Sequence, residues 1–173
     1  VSLSEFGPST GSFDAARHNT GLYVQAVGDA NDRVSYAIGA RRDDNSAFGV
    51  FTTSRASVAW LAGSSARVRA AAGTAFKAPS FFENYATGYV IGNAALRPER
   101  SRSIEVGFDA FLMDGNMTVS GALFRQQFRD IIQYSGPAPG PGAPNYFNVA
   151  AADVNGIELG ASLGKVAVDP LLA

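Results

Sequence analysis

The sequence predicts an all-β protein built of antiparallel up-and-down strands. Composition supports this class first, because the 173 residues include 19 Gly, 12 Phe and 6 Tyr but only 17% charged residues, which favours strands over helices. Apolar and polar side chains also alternate with a period of two along much of the chain, as a strand with two different faces requires. The segments that alternate are separated by turn and loop signals at regular intervals.

The first three strands are predicted at residues 19–29, 33–43 and 50–61. The first two each place an apolar set on one face, while the third alternates less regularly and carries the only Trp near its end. Residues 29–32 are an Asp- and Asn-rich turn, since these side chains tolerate left-handed backbone or bond their own backbone. Residues 44–49 are predicted as a loop.

The fourth and fifth strands flank the longest connection. Residues 67–72 alternate, and Pro79 cannot donate a ladder hydrogen bond, so strand pairing should stop near it. Residues 80–101 contain the Gly, Pro and Asn that are typical of a loop. Residues 101–112 then predict a fifth strand with one apolar and one polar face.

The last two strands are predicted to be longer, at residues 117–134 and 146–163. The Asp-Gly pair at 114–115 predicts a hairpin with a type I′ turn before the sixth strand. An amphipathic helix is the rival interpretation for the second half of that strand. The Pro- and Gly-rich residues 136–144 are predicted as loop, and Gly156 indicates a bulge or a close contact.

The connections alternate between the two ends of the strands in a way that indicates a membrane barrel. The short turns are 29–32, 62–65 and 113–116, and the longer connections are 44–49, 77–100 and 135–145. Outer-membrane barrels have this pattern, with strands of about ten tilted residues. No apolar run is long enough for a transmembrane helix. We therefore expect a barrel wall, with the polar residues 124–134 projecting above the membrane.

Ordered motifs in the middle of the chain resemble a known family. Residues 73–80 read Gly-Thr-Ala-Phe-Lys-Ala-Pro-Ser, residues 92–101 read Gly-Asn-Ala-Ala-Leu-Arg-Pro-Glu-Arg-Ser, and residues 105–107 read Glu-Val-Gly. In this order they resemble the barrel of TonB-dependent outer-membrane receptors, in particular its cobalamin and siderophore branch. Ala94 stands where that family usually has Pro. The resemblance extends over roughly residues 20–163.

The resemblance implies that residues 1–173 are part of the wall of a 22-stranded transmembrane β-barrel. About seven strands would lie here, with the plug domain and the remaining strands elsewhere. Such a receptor takes up cobalamin, a ferric siderophore or a similar scarce nutrient across the outer membrane of a Gram-negative bacterium. Its implied partners are the TonB complex, reached through the plug, the outer-membrane lipid and the small-molecule substrate. We expect these residues alone not to transport.

Two groups of side chains are candidate functional residues. If the apolar strand faces meet lipid, the charges on the opposite faces point into the lumen, towards a plug or one another. These charged residues are Arg41, Arg67, Arg69, Glu105, Asp109 and Glu158. The long loop carries aromatic candidates for substrate contact, namely Phe81, Phe82, Tyr85 and Tyr89. Packing of loop on loop, or anchoring at the membrane interface, are the alternative roles for these aromatics.

Composition argues against several other functions. The chain has 14 basic and 15 acidic residues, so no nucleic-acid partner is expected. It has no Cys and a single His, His18, which we interpret as a solvated surface residue. We therefore expect no metal site, no cofactor and no enzymatic activity. Gly88 and Gly92 are not followed by the Lys of a phosphate loop, so no phosphate site is expected there.

A soluble or secreted all-β ligand-binding module of the carbohydrate-binding type is the alternative interpretation. It explains the alternation equally well, because its polar faces would be solvated. The two interpretations differ in the apolar faces: a soluble module buries them against each other, whereas a barrel wall leaves them as a continuous outward band. An autotransporter-type or porin-like barrel is a third possibility, but such barrels lack the ordered motifs between Phe76 and Gly107.

Overall fold

The computed structural model of the chain describes residues 2–4, 10–11, 14–136 and 140–164. These residues form strands almost throughout, which confirms the predicted all-β class. The long strands are β4 Asn19–Asn31, β5 Val34–Asn45, β6 Gly49–Leu61, β7 Ala66–Lys77, β9 Glu99–Leu112, β10 Met117–Tyr134 and β11 Tyr146–Leu163. The short elements are β1 Ser2–Ser4, β2 Thr10–Gly11, β3 Asp14–Ala16, α1 Phe81–Tyr85 and β8 Thr87–Gly88. The described residues include no helix of the length and apolarity that crossing a membrane requires.

One antiparallel sheet contains the seven long strands in the order β11-β10-β9-β7-β6-β5-β4. Each long strand pairs with the next one along the chain, which is the predicted up-and-down connection. The amphipathic helix considered for the end of β10 is wrong, because β10 is a strand over its whole length. Part of the segment before β4 also forms strands, since β1 pairs with β3 and β2 pairs with β8.

The register of the sheet separates its side chains onto two faces. Val68 lies opposite Phe108 and Ala70 opposite Val106, and directly opposed residues in an antiparallel ladder share a face. We call this the outer face of the sheet and the opposite one the inner face. The exposed apolar side chains of the outer face form a continuous band: Leu22, Val24, Tyr36, Ile38, Val58, Trp60, Val68, Ile104, Val106, Phe108, Leu123, Ile157 and Leu159.

The outer band is uncovered rather than buried. Ile157 and Leu159 are 71% and 81% exposed. The main contacts among the described elements run between neighbouring strands of the sheet and not between two layers. A soluble sandwich would bury such a face. The observation therefore favours a barrel wall over a soluble module.

The connection between β9 and β10 is the predicted one, residues 113–116, since Leu112 pairs with Met117. Two overlapping turns form it. The Gly115 N–H donates to the Leu112 carbonyl at 3.1 Å, and the Asn116 N–H donates to the Met113 carbonyl at 3.0 Å. A type I′ turn needs positive φ at both central residues. The predicted central pair, Asp114 and Gly115, has φ of 55° and 87°, and Met113 before it also has a positive φ, of 53°.

Gly156 is a site of close contact and not a break in register. It lies directly opposite Phe124, and the Phe124 ring occupies the space that a Cβ on Gly156 would need. Because Gly156 has no side chain, the Phe124 ring can lie across β11.

The connection predicted as loop at residues 80–101 contains the short helix α1. Its start is a capping box: the Glu83 N–H donates to Ser80 Oγ at 3.1 Å, and the Ser80 N–H donates to Glu83 Oε2 at 2.6 Å. The Ser-x-x-Glu spacing is visible in the sequence but was interpreted as loop. The strand β9 also begins earlier than predicted, at Glu99.

We predict that arginine is much more costly on the outer face than on the inner one. Ile38→Arg, in the middle of the outer band, should lower the free energy of unfolding by about 2–4 kcal/mol in lipid vesicles. Ala37→Arg, on the adjacent inner position of the same strand, is the matched control and should cost far less. Urea unfolding of a receptor barrel that contains residues 1–173 measures both. Equal losses would contradict the assignment of the faces.

Candidate functional site

Four of the predicted lumen residues form one cluster on the inner face of the sheet. Arg67 Nε lies 2.9 Å from Asp109 Oδ2, and Arg69 Nη1 lies 2.7 Å from Asp109 Oδ1. The two guanidinium groups come from β7 and the carboxylate from β9, and Asp109 is buried. Glu105 lies 3.9 Å from Arg69 Nε, so two positive charges meet two negative ones. The cluster balances its own charge.

Gly107 makes room for this cluster. The Arg69 guanidinium lies over it, and a Cβ at Gly107 would come within 2.8 Å of Arg69 Nε. Because Gly107 has no side chain, Arg69 can extend flat across β9 towards Asp109. The Glu-Val-Gly motif at 105–107 thus has a packing role on the inner face.

Arg41 lies apart from this cluster, near the upper end of β5. Its Nε and Nη2 donate to the two carboxylate oxygens of Asp43 at 2.7 and 2.8 Å, and Asn19 Nδ2 donates to Asp43 Oδ1 at 2.9 Å. The Arg41 guanidinium and then the Asn19 amide hold the pKa of the Asp43 carboxyl below its ordinary value, against the opposing effect of burial. Asp43 was missed as a site residue, although its spacing of two from Arg41 places both on one face.

Glu158 is the most isolated of the predicted lumen residues. It lies on the inner face of β11 opposite Ala122 and is exposed. Within the described ranges no Lys or Arg forms an ion pair with it.

Asparagine side chains fasten the long loop, residues 78–98, onto the ends of β10 and β11. We call this arrangement the rim lock, and it consists of Asn84, Asn93, Asn145 and Asn148. Asn145 is buried, its Oδ1 accepts the Ile91 N–H at 2.8 Å, and its Nδ2 donates to the Ser135 carbonyl at 2.9 Å. Its backbone N–H also donates to the Ile91 carbonyl at 2.9 Å. One residue thus joins two loops.

Asn93 and Asn148 extend the rim lock along the descending arm of the loop. Asn93 Nδ2 donates to the Tyr146 carbonyl at 2.9 Å. Asn148 Oδ1 accepts the Arg97 N–H, and Asn148 Nδ2 donates to the Arg97 carbonyl, both at 2.9 Å. The same amide also donates to the Asp130 carbonyl at 2.6 Å. Asn148 therefore gives the loop backbone the bonds that a neighbouring strand would otherwise supply.

Asn84 and Gly92 bring the two arms of the loop together. Asn84 is buried on α1, and its Nδ2 donates to the Asn93 carbonyl at 2.9 Å. A Cβ at Gly92 would lie 2.6 Å from the carbonyl carbon of Asn84 and 2.6 Å from the Tyr85 nitrogen. Both neighbours are backbone and cannot rotate away, so this position requires glycine.

The other motif residues also anchor the loop. Pro79, Leu96 and Pro98 are buried under it. Glu99 Oε1 accepts the Ile132 N–H at 2.7 Å, and Glu99 Oε2 lies 3.2 Å from Lys77 Nζ. The residues on which the family resemblance depends therefore hold the loop in place.

The four aromatic candidates for substrate contact separate into two pairs. Phe81 is 8% exposed, and Phe82 packs edge-on against Tyr146 with ring centroids 6.2 Å apart. The other pair lies on the surface, since Tyr85 is 39% and Tyr89 82% exposed.

Tyr146 forms the centre of a small aromatic cluster under the loop. Besides Phe82, it contacts Tyr134 with ring centroids 5.3 Å apart. Burial, and then the nearby charge of Glu83, raises the pKa of the Tyr146 hydroxyl above its ordinary value. Sequence analysis missed Tyr146 as a contact of the loop.

Nothing in the described residues suggests a metal site, since no three His, Asp or Glu side chains gather there in a suitable group. His18 is exposed, and its backbone N–H donates to Ser46 Oγ at 3.0 Å.

An apolar outer face, a charged inner face and a loop fixed to the rim together define part of an outer-membrane β-barrel wall. The family model described as TonB dependent receptor-like, beta-barrel matches residues 2–169. The chain belongs to this family, whose members lie in the outer membrane of Gram-negative bacteria.

Solved structures of siderophore receptors have the same fold. The siderophore receptor PirA from Pseudomonas aeruginosa has a TM-score of 0.74 and 24% identity, over 88% of this chain and 29% of that one. The ferric enterobactin receptor PfeA from the same organism, in complex with enterobactin, has a TM-score of 0.71 and 16% identity, over 86% and 25%. The alcaligin receptor FauA from Bordetella pertussis has a TM-score of 0.58 and 22% identity, over 87% and 28%. The chain thus spans less than a third of each.

We predict that Gly92→Ala loosens the long loop, because its Cβ would collide with the backbone of α1. Limited proteolysis of a receptor barrel that contains residues 1–173 should cut the variant within residues 78–98 at least about ten times faster, the factor that 1.4 kcal/mol of loop opening corresponds to. Ala94→Gly, at an exposed position of the same loop, is the control and should change the rate little. A Gly92→Ala loop as resistant as the parent would refute the proposed packing.

The lowered pKa of Asp43 predicts a pH dependence of stability. Its folded-state pKa lies below the unfolded value, so the stabilisation is present above about pH 4 and is lost as the pH falls through the folded pKa. The free energy of unfolding of the parent should fall more steeply below pH 4 than that of Asp43→Asn. Asp44→Asn, on the exposed neighbour, should keep the steep fall. Parallel curves for the parent and Asp43→Asn would contradict the assigned hydrogen bonds.

Proposed function

We propose that this chain is part of a TonB-dependent receptor that carries a ferric siderophore across the outer membrane. The observation that carries the proposal is the family match over residues 2–169. The siderophore receptors among the structures of the same fold support this substrate class. Cobalamin, another scarce nutrient taken up by the wider family, is the alternative substrate.

In this proposal the role of the chain is transport and not catalysis. The substrate binds outside, and the TonB complex pulls on a plug domain in the lumen to open a path. The outer band contacts outer-membrane lipid, while the charges of the inner face contact the plug. The proposed plug contacts are Arg41, Arg67, Arg69, Glu105, Asp109 and Glu158.

The charge balance of the inner cluster suits a plug that must move. Arg67, Arg69, Glu105 and Asp109 satisfy one another, so release of the plug would not leave a net charge behind. Exposed ion pairs exchange partners at a cost of only about 0–1 kcal/mol each. Arg69 and Glu105 are partly exposed and would be the members that exchange.

We further propose that Tyr85 and Tyr89 contact the substrate, while Phe81 and Phe82 support the loop from below. The rim lock fixes the backbone that carries both tyrosines. A tyrosine has few rotatable bonds, so it can bind a ligand with little loss of conformational entropy. Exposure of 39% and 82% leaves both rings accessible from outside.

The tyrosine proposal predicts a loss of affinity. Tyr85→Ala and Tyr89→Ala should each weaken binding of a ferric siderophore to the receptor about tenfold, because each removes an aromatic contact of roughly 1.4 kcal/mol. Fluorescence titration of the purified receptor measures the dissociation constants. Tyr36→Ala, on the outer apolar face, is the control and should bind like the parent. Unchanged affinity in both loop variants would reject this role for the tyrosines.

A further inference from the structure

The outer face carries a second charged cluster, which lies above the apolar band. Arg100 and Arg102 lie on β9, and Arg129 lies on β10 directly opposite Arg100. Like charges in directly opposed positions destabilise a sheet. Within the described ranges no carboxylate lies within 4.0 Å of these three guanidinium groups. Asp130 on β10 and Asp153 on β11 pair with other arginines, Arg97 and Arg125. Unlike the inner cluster, this one has three uncompensated positive charges.

These arginines surround an opening between two strands. The ladder between β6 and β7 runs only as far as Arg55 and Gly73, although both strands continue above it. Beyond that point the Ser54 N–H donates to the side-chain Oγ1 of Thr74 at 3.0 Å. A cavity of about 300 Å³ lies here, lined among others by Thr74, Gln127 and the three arginines.

Stacked aromatic rings form one wall of this opening. The rings of Phe51 and Phe76 lie 4.5 Å apart and 13° from parallel. The Arg100 guanidinium carbon lies 5.5 Å from the centre of the Phe51 ring, which positions that side chain over the opening.

A larger groove of about 680 Å³ continues from the opening into the apolar band. Small side chains from three strands, Ala40, Ala56 and Ala72, line it, with Val24 and Ile38 at its side. Thr74 and Arg102 line both the groove and the upper cavity, so the two are continuous. The groove lies on the face that contacts lipid, and its volume is typical of ligand sites.

We propose that the opening and the groove bind one lipid of the membrane whose headgroup carries phosphate. The phosphate contacts Arg100, Arg102 and Arg129, and an acyl chain lies in the groove below. Guanidinium groups bind phosphate with paired hydrogen bonds, and an anion between Arg100 and Arg129 relieves their repulsion. Arg102 is followed on the outer face of β9 by Ile104, so the phosphate lies at the boundary of the apolar band.

Charge and shape together identify a lipid as the occupant. A free phosphate ion would use only the arginines and leave the groove empty. A neutral lipid would use only the groove and leave three positive charges uncompensated. A phosphate-bearing lipid satisfies both parts, and the membrane supplies it at this height.

Native mass spectrometry of a receptor barrel that contains residues 1–173, purified in a neutral detergent, tests the proposal. The barrel is titrated with phosphatidylglycerol and, separately, with diacylglycerol, a neutral lipid that lacks the phosphate. The Arg102→Gln, Arg129→Gln double variant should retain at least about ten times less phosphatidylglycerol than the parent, with retention of diacylglycerol unchanged. The control variant Arg33→Gln, in the turn at the other end of the sheet, should retain as much as the parent.

A second pair of variants tests the groove without changing charge. Ala56→Phe fills the groove and should also reduce retention of phosphatidylglycerol about tenfold, whereas Val106→Phe, on the outer face away from it, should not. Equal retention in the double variant and the parent would overturn the proposal. So would normal retention in Ala56→Phe combined with displacement of the lipid by inorganic phosphate, because the arginines would then bind phosphate alone. Resistance of each folded barrel to SDS at room temperature verifies that the variants fold.

Discussion

The interior of a bilayer offers no hydrogen-bond partner to a peptide group, and the structure depends on this constraint. The seven long strands satisfy it with one continuous antiparallel ladder. Once that ladder is set, its register decides which side chains lie on the apolar outer face and which lie on the charged inner face. Val68 and Phe108 oppose each other outside, while Arg67 and Asp109 oppose each other inside. The separation of apolar and charged faces follows from the pairing of the backbone.

Above the apolar band, side chains replace backbone partners where the ladder ends. Asn148 bonds both backbone groups of Arg97, and Thr74 accepts the N–H of Ser54. This replacement of backbone partners by side chains has a different consequence on each side of the sheet. On the inner side of the rim it fixes a loop that displays tyrosines, and on the outer side it leaves an opening beneath arginines. The tyrosine loop and the arginine-lined opening therefore both lie where the regular pairing of strands ends.

Sequence alone could predict the strands and their faces, because a period of two is a local signal. It could also place Arg67 and Asp109 on one face, although not their contact. The rim lock could not be predicted, since Asn145 and Ile91 are 54 residues apart and Asn148 and Arg97 are 51 apart. Their meeting depends on register and loop path together. The opposition of Arg100 and Arg129 likewise depends on register. The helix α1 is different, because its capping box at Ser80 and Glu83 was readable and was overlooked.

Accessibility of single cysteines along β9 tests the account most directly, since the parent chain contains no Cys. A fluorescent label is attached in turn at residues 103 to 106 and at residue 108 of a receptor barrel in lipid vesicles. The two-face account predicts that labels at Ile104, Val106 and Phe108 are quenched by a lipid-soluble quencher, and that the intervening labels respond to a water-soluble one. Quenching without this alternation, or with the two sets exchanged, would contradict it.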